Sequence, residues 1–216
     1  MASMMRSAGD EVRIDQKVRQ MLDSDSPRVK SLIQMLACEK KYEADRLFEN
    51  LPPMPEVANA LRRWAALDVL LTGYGNVVER SISREEYDSG IKPVLTLLRE
   101  QARSKAKAES LMQTAPAVPV GEVAGKCRFL EGLFEDCGVR GRPLRGAAEK
   151  MAKLDMLLRS GRVTDEEYDH IQDMILNELR EAISPSDLHR GITPSSSISL
   201  YGRMSSALQA SRRRTS

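Results

Sequence analysis

The sequence predicts an all-α fold of two small helical bundles, each containing a capped helical hairpin, followed by a disordered basic tail. Three observations carry this. Apolar residues recur at three- and four-residue spacing nearly everywhere, with no strand-like alternation. Capping residues, prolines and glycines punctuate those periodic stretches where helices start and stop. One hairpin-length stretch occurs twice.

The elements run in order along the chain. Ile14, Val18, Met21 and Leu22 mark a short first helix beginning after Asp10. Ser26-Pro27 is an N-cap followed by a proline whose missing N–H costs nothing at a first helical position. Val29, Leu32, Ile33 and Leu36 then share a face, and the helix runs on to Leu47 and Phe48 before Pro52 and Pro53 stop it. Val57, Leu61, Trp64, Leu67 and Leu71 form the stripe of a third helix that starts near Pro55 and ends at Gly73 and Gly75. A fourth runs from Arg84 to about Gln113, with Tyr87, Ile91, Val94, Leu95 and Leu98 on one side. Gly90 and Pro93 should kink it. Beyond the proline-containing Thr114–Pro119 stretch, Val120, Val123, Cys127, Leu130, Phe134 and Cys137 repeat at helical spacing until Gly138–Pro143 breaks the pattern. Leu144, Met151, Leu154 and Leu158 mark the next helix, Gly161 its turn, and Tyr168, Ile171, Ile175 and Leu179 the last. The domain reading is residues 1–113, a linker 114–119, a second helical unit 120–183 and a tail 184–216.

The repeat is the strongest signal. Residues 83–101 (SREEYDSGIKPVLTLLREQ) align without gaps on residues 164–182 (TDEEYDHIQDMILNELREA), matching Glu-Glu-Tyr-Asp and Leu-Arg-Glu in both. Upstream, Leu67-Asp68-x-Leu70-Leu71 matches Leu154-Asp155-x-Leu157-Leu158, so the first copy holds six extra residues in its turn. Ser83 and Thr164 are predicted N-caps, with Glu86 and Glu167 completing capping boxes. Trp64, Leu67, Tyr87, Leu95 and their second-copy counterparts are predicted core. A hairpin this short cannot bury enough surface alone, so each must pack on neighbouring helices or on a partner. Residues 154–176 (LDMLLRSGRVTDEEYDHIQDMIL) resemble the SHOCT module: a leucine-rich helix, a glycine turn, a Ser/Thr cap, Glu-Glu-aromatic and a second helix. The resemblance covers about one tenth of the chain per copy and implies oligomerisation or protein contact rather than catalysis.

Composition narrows the function classes. Acids and bases nearly cancel at a formal net charge of +2, which gives no global argument for nucleic acid or membrane. The 4% aromatic content weakens any platform on which bases would stack. No stretch approaches the run of apolar residues a membrane span needs, and the N-terminal residues lack a secretory apolar region. Three scattered cysteines, Cys38, Cys127 and Cys137, read as reduced thiols of a cytoplasmic compartment. The two histidines, His170 and His189, with three dispersed cysteines do not suggest a metal centre. His170 sits between Asp169 and Asp173 and reads as an acid-flanked surface residue. No catalytic motif is present, and the repeated Glu-Glu-Tyr-Asp is explained by capping. The expectation is therefore no catalytic residue, no cofactor and no metal.

Two places have the look of a contact site. Arg140, Arg142 and Arg145 crowd a glycine-rich loop before a helix N-terminus, where backbone donors favour phosphate, RNA or an acidic partner; the alternative is a solvated basic linker. In the tail, five Arg stand against one Asp from Ser184 to Ser216. Ile198, Tyr201, Met204 and Leu208 could form an amphipathic helix there that folds on binding, ahead of Arg212, Arg213 and Arg214. The leading expectation is an adaptor or structural subunit working through protein–protein contacts. The alternative is an RNA-associated subunit using the basic loop and tail.

Overall fold

In a computed structural model, residues 2–49, 51–75, 77–134 and 141–182 are described, the side chains from residue 12 onward. Seven helices account for nearly all of them: α1 (Ala2–Leu22), α2 (Pro27–Phe48), α3 (Pro55–Thr72), α4 (Arg84–Thr114), α5 (Val120–Leu133), α6 (Arg142–Arg159) and α7 (Asp165–Ala182). Among the described residues there is no strand, only an isolated bridge between Tyr74 and Val78. The fold is all-α as the periodicity requires. Two boundaries differ from expectation. α1 begins at Ala2, well before Asp10, and α5 ends at Leu133, short of Cys137.

The chain divides into two compact units, Met1–Glu109 and Ser110–Ser216. The division falls inside α4, a little before the expected linker. The Thr114–Pro119 stretch belongs to the second unit, where the Arg162 guanidinium donates to the Thr114 carbonyl at 3.3 Å and to its hydroxyl at 3.0 Å.

In the first unit, α3 is the central helix. Trp64, Ala65, Ala66, Leu67, Val69 and Leu70 are all buried, so almost no face of its second half meets solvent. α2 packs along it, and α1 lies against both α2 and α3, burying Ile14, Val18 and Met21. α4 closes the unit with Gly90, Ile91, Val94 and Leu98. A Cβ on Gly90 would stand 3.0 Å from Ile14 Cγ2 and 3.0 Å from Leu67 Cδ2, so glycine is what lets the three helices approach there. α4 continues through Pro93, whose ring is exposed.

In the second unit, α6 is the middle helix, packed by α5 on one side and α7 on the other. Leu144, Ala148, Met151, Leu154 and Leu157 form its buried face, with Tyr168, Ile171, Ile175, Leu176 and Leu179 from α7. Predicted core residues Trp64, Leu67, Met151, Leu154, Tyr168 and Leu176 are buried, whereas Tyr87 and Leu95 are only half-buried.

Both predicted capping boxes are formed. Ser83 N–H donates to Glu86 Oε2 at 2.7 Å and Glu86 N–H to Ser83 Oγ at 3.2 Å. Thr164 N–H donates to Glu167 Oε2 at 3.0 Å and Glu167 N–H to Thr164 Oγ1 at 3.2 Å. The two turns differ as the offset requires. In the second copy Gly161, at φ +68°, closes α6 with a Schellman pair, Arg162 N–H to Leu157 O and Gly161 N–H to Leu158 O, both 2.9 Å. In the first copy the longer loop returns to α3 through Ser81 N–H to Leu70 O at 2.8 Å. Ile82 and Val163 then fill matching core positions just before each cap.

The repeat extends further than the hairpin. Ala60, Ala65, Leu67 and Leu70 of α3 correspond to Ala147, Ala152, Leu154 and Leu157 of α6, and all eight are buried. Leu47-Phe48-Glu49 at the end of α2 matches Leu133-Phe134-Glu135 at the end of α5. Continuing that alignment pairs Ala44 with Leu130, each fully buried. The duplicated object is a three-helix module, α2–α3–α4 and α5–α6–α7.

Candidate functional site

The same polar cluster sits in both modules. In the first, Asp68 of α3 accepts from two neighbours: the Tyr87 hydroxyl of α4 at 2.6 Å on Oδ1, and Lys40 Nζ of α2 at 2.7 Å on Oδ2. In the second, Asp155 of α6 accepts from the Tyr168 hydroxyl of α7 at 2.8 Å and from Lys126 Nζ of α5 at 2.7 Å. One carboxylate thus ties three helices at one level. Its two oxygens are divided between a neutral and a charged donor, so neither competes with the other.

The first copy is elaborated. Trp64 Nε1–H donates to the Tyr87 oxygen at 3.2 Å, and Lys40 Nζ lies 4.8 Å from the centre of the Trp64 ring. Lys40 also reaches Glu43 at 2.8 Å. Burial pushes the Tyr87 phenol up to about 12, helped by its hydrogen bond to the Asp68 carboxylate. Burial alone would lower the Lys40 pKa, but the hydrogen bonds to Asp68 and Glu43 outweigh it and hold the ammonium charged. A phenol that resists ionisation and a lysine locked in its charged form are poor proton-transfer groups at neutral pH. Their chemistry suits a structural tie.

Two grooves flank these cores. One, of about 610 Å³, lies between α1, α3 and α4 in the first unit, floored by Ile14, Ala60, Pro93, Val94 and Leu97, with the Arg63–Asp15 ion pair on its wall. The other, of about 810 Å³, runs between α5 and α6 in the second unit. Val118, Val120, Val123, Ala124 and Cys127 supply its apolar side, and Arg145, Glu149 and Lys153 face them. α5 buries only Leu130 fully among its residues, and Val120 is 82% exposed. On α2, Met35, Cys38 and Tyr42 form an exposed i, i+3, i+7 stripe, Tyr42 being 77% exposed.

The residues singled out from sequence fare unevenly. Arg142 and Arg145 occupy the first turn of α6 and are exposed. Arg145 is engaged with Glu149 at 3.3 Å, an i, i+4 surface pair, and lines the α5–α6 groove. Arg140 lies outside the described residues, as do Cys137, His189 and the tail residues Ile198, Tyr201, Met204, Leu208, Arg212, Arg213 and Arg214. His170 is not the open surface residue expected. Its Nε2 is buried without a hydrogen-bond partner among the described residues. Among those residues no group of three His, Cys, Asp or Glu is placed to hold a metal ion, and no helix is long and apolar enough to cross a membrane.

Sequence reasoning missed the tie. Asp68, Asp155, Tyr87 and Tyr168 all lay within matched stretches, and the recurrence of one Asp before and one Tyr after each turn, 19 and 13 residues apart, was the available signal. Lys40 and Lys126 lie on helices that share few identities. No family model, curated protein or solved structure matches this chain.

Proposed function

We propose that this protein is a non-catalytic helical adaptor, two copies of one tied three-helix module whose outer faces bind other proteins. The observation that supports this is the α2 stripe of Met35, Cys38 and Tyr42. Side chains of that size, aligned on one helix face and left in solvent, are costly unless a partner covers them. The SHOCT-like hairpin points the same way, as a module used for assembly. The free thiols Cys38 and Cys127 suit a reducing compartment. An RNA-associated role is the second reading, favoured by exposed Arg142 and Arg145 at the start of α6.

The test is affinity capture with the full chain, a Met35→Glu/Tyr42→Glu variant and an Arg142→Glu/Arg145→Glu variant, each at low and high salt. Defined proteins retained at both salts and lost on the α2 variant support the adaptor. RNA that washes off with salt and is lost on the α6 variant supports the second reading and overturns the first.

A further inference from the structure

The two modules are covered differently. In the first, α1 lies over α2 and α3. Ala37 of α2 and Ala66 and Val69 of α3 are there buried, the last two completely. The corresponding residues of the second module are Val123 of α5 and Lys153 and Met156 of α6, and all three are half-exposed. They border or line the α5–α6 groove, whose apolar side extends to Val120 at 82% exposure. The second module therefore leaves open three positions that are buried in the first, while the rest of its groove lies where the first module is open too, Val120, Ala124, Cys127 and Arg128 matching exposed Gln34, Cys38, Lys41 and Tyr42.

The occupant is named by the chain itself. α7 ends at Ala182, which lines a small cavity together with Pro143 and Gly146 of the first turns of α6. Arg145, on that same stretch of α6, is part of the α5–α6 groove. The chain leaving α7 thus starts about one helix diameter, roughly 10 Å, from the groove. Residues 183–197 span up to roughly 50 Å when extended, ample to round α6. Beyond them stand Ile198, Tyr201, Met204 and Leu208, apolar residues at helical spacing with Arg203 as the one charge among them. As a helix this segment is roughly 15 Å long. The groove wall from Val120 to Glu131 of α5 is of the same length. The segment's apolar residues match the groove's apolar side of Val118, Val120, Val123, Ala124 and Cys127, and its single Arg203 leaves the polar rim of Arg128, Glu131, Arg145, Glu149 and Lys153 to solvent.

We propose that the α5–α6 groove is the docking site of the chain's own C-terminal segment, Ile198–Leu208, tethered within reach of it by residues 183–197. A partner helix that uses this groove has to displace the segment, so the tail sets a threshold for binding there. This stands apart from the adaptor reading, since the segment docks whether or not a protein binds α2.

Cys127 lines the groove and Cys38 lies exposed on α2, giving a probe and an internal reference. The experiment compares alkylation rates of the two thiols by mass spectrometry in the full chain and in a Met204→Glu/Leu208→Glu variant, which leaves every described residue unchanged. Expected is a several-fold faster reaction at Cys127 in the variant, with Cys38 unchanged and protection independent of protein concentration. A second arm titrates a labelled peptide of residues 195–211 against the full chain and a chain ending at Ala182. The tethered segment acts at an effective concentration near millimolar, so the full chain should bind the peptide at least tenfold more weakly. An unchanged Cys127 rate, or equal peptide affinity for both chains, overturns the proposal. So does protection that grows with protein concentration, which would assign the segment to a second copy's groove.

Discussion

Removing the shared acceptor of the first polar tie should cost more than any surface ion pair in the chain. In Asp68→Ala the Tyr87 hydroxyl loses a 2.6 Å bond to a carboxylate. A hydrogen bond to a charged group contributes about 1.5–2 kcal/mol. Lys40 loses its 2.7 Å partner but keeps Glu43 and the face of Trp64. Because both side chains remain partly in solvent, that ion pair adds only about 0.5 kcal/mol. The sum is a loss of about 2–2.5 kcal/mol, near 1 M in urea midpoint for a unit of this size. Tyr87→Phe alone should cost about 2 kcal/mol, since it removes the same bond and also the acceptor of Trp64 Nε1–H, while leaving Lys40 paired. The double variant should therefore exceed Asp68→Ala only by the lost Trp64 hydrogen bond, about 0.5 kcal/mol, with a coupling of about 1.5 kcal/mol. Equilibrium urea unfolding of the four proteins, followed by circular dichroism, supplies all the terms. The same cycle on Asp155 and Tyr168 should behave alike. Arg84–Asp88, whose side chains are 68% and 55% exposed, is the control, and Asp88→Ala should cost less than about 0.5 kcal/mol. Additive losses at Asp68 and Tyr87, or a loss no larger than the control's, would refute the view that one carboxylate ties three helices.

Three further outcomes rest on the geometry. Ser83→Ala and Thr164→Ala each break a capping box and should cost about 1 kcal/mol in urea unfolding, in whichever transition reports the unit concerned. Gly90→Ile, which copies the residue found at the matching position of the second module, should cost about 2–3 kcal/mol by crowding Ile14 and Leu67, and adding Ile14→Ala should recover about half of it. Tyr87 ionises near 12 in the folded protein and near 10 when unfolded, so the stability it contributes is fully present below pH ~10 and is lost as pH rises toward 12. Unfolding across that window should show a steeper loss for the native chain than for Tyr87→Phe.

The helices and their caps were legible because they are local. Ser83, Glu86, Thr164 and Glu167 satisfy one another within three residues, and Gly161 stands at the left-handed position its turn demands. The duplication was legible only where α3–α4 and α6–α7 keep identical residues. Its extension to α2 and α5 was hidden, because packing there asks only for a residue of the right bulk, as Ala44 opposite Leu130 shows. The tie needs Lys40 beside Asp68, a proximity set by the crossing of two helices and not by spacing along one. His170 failed for a related reason. Acidic neighbours in sequence say nothing about which side of α7 the ring occupies, and its Nε2 turns out buried. Of the basic loop, Arg145 lies 3.3 Å from Glu149 one turn along the same helix, a surface pair that the spacing alone did not single out.

The glycine that admits α1 also orders events during synthesis. Ile14 has no seat until Leu67 and Gly90 have been made. At roughly 5–20 residues per second, the first helix waits on the order of 4–15 s with Ile14, Val18 and Met21 uncovered. The second module carries Ile171 where the first has Gly90 and seals that position from within α7. The first module thus closes late, on a helix made before its seat, whereas the second fills the same position from within its own last helix.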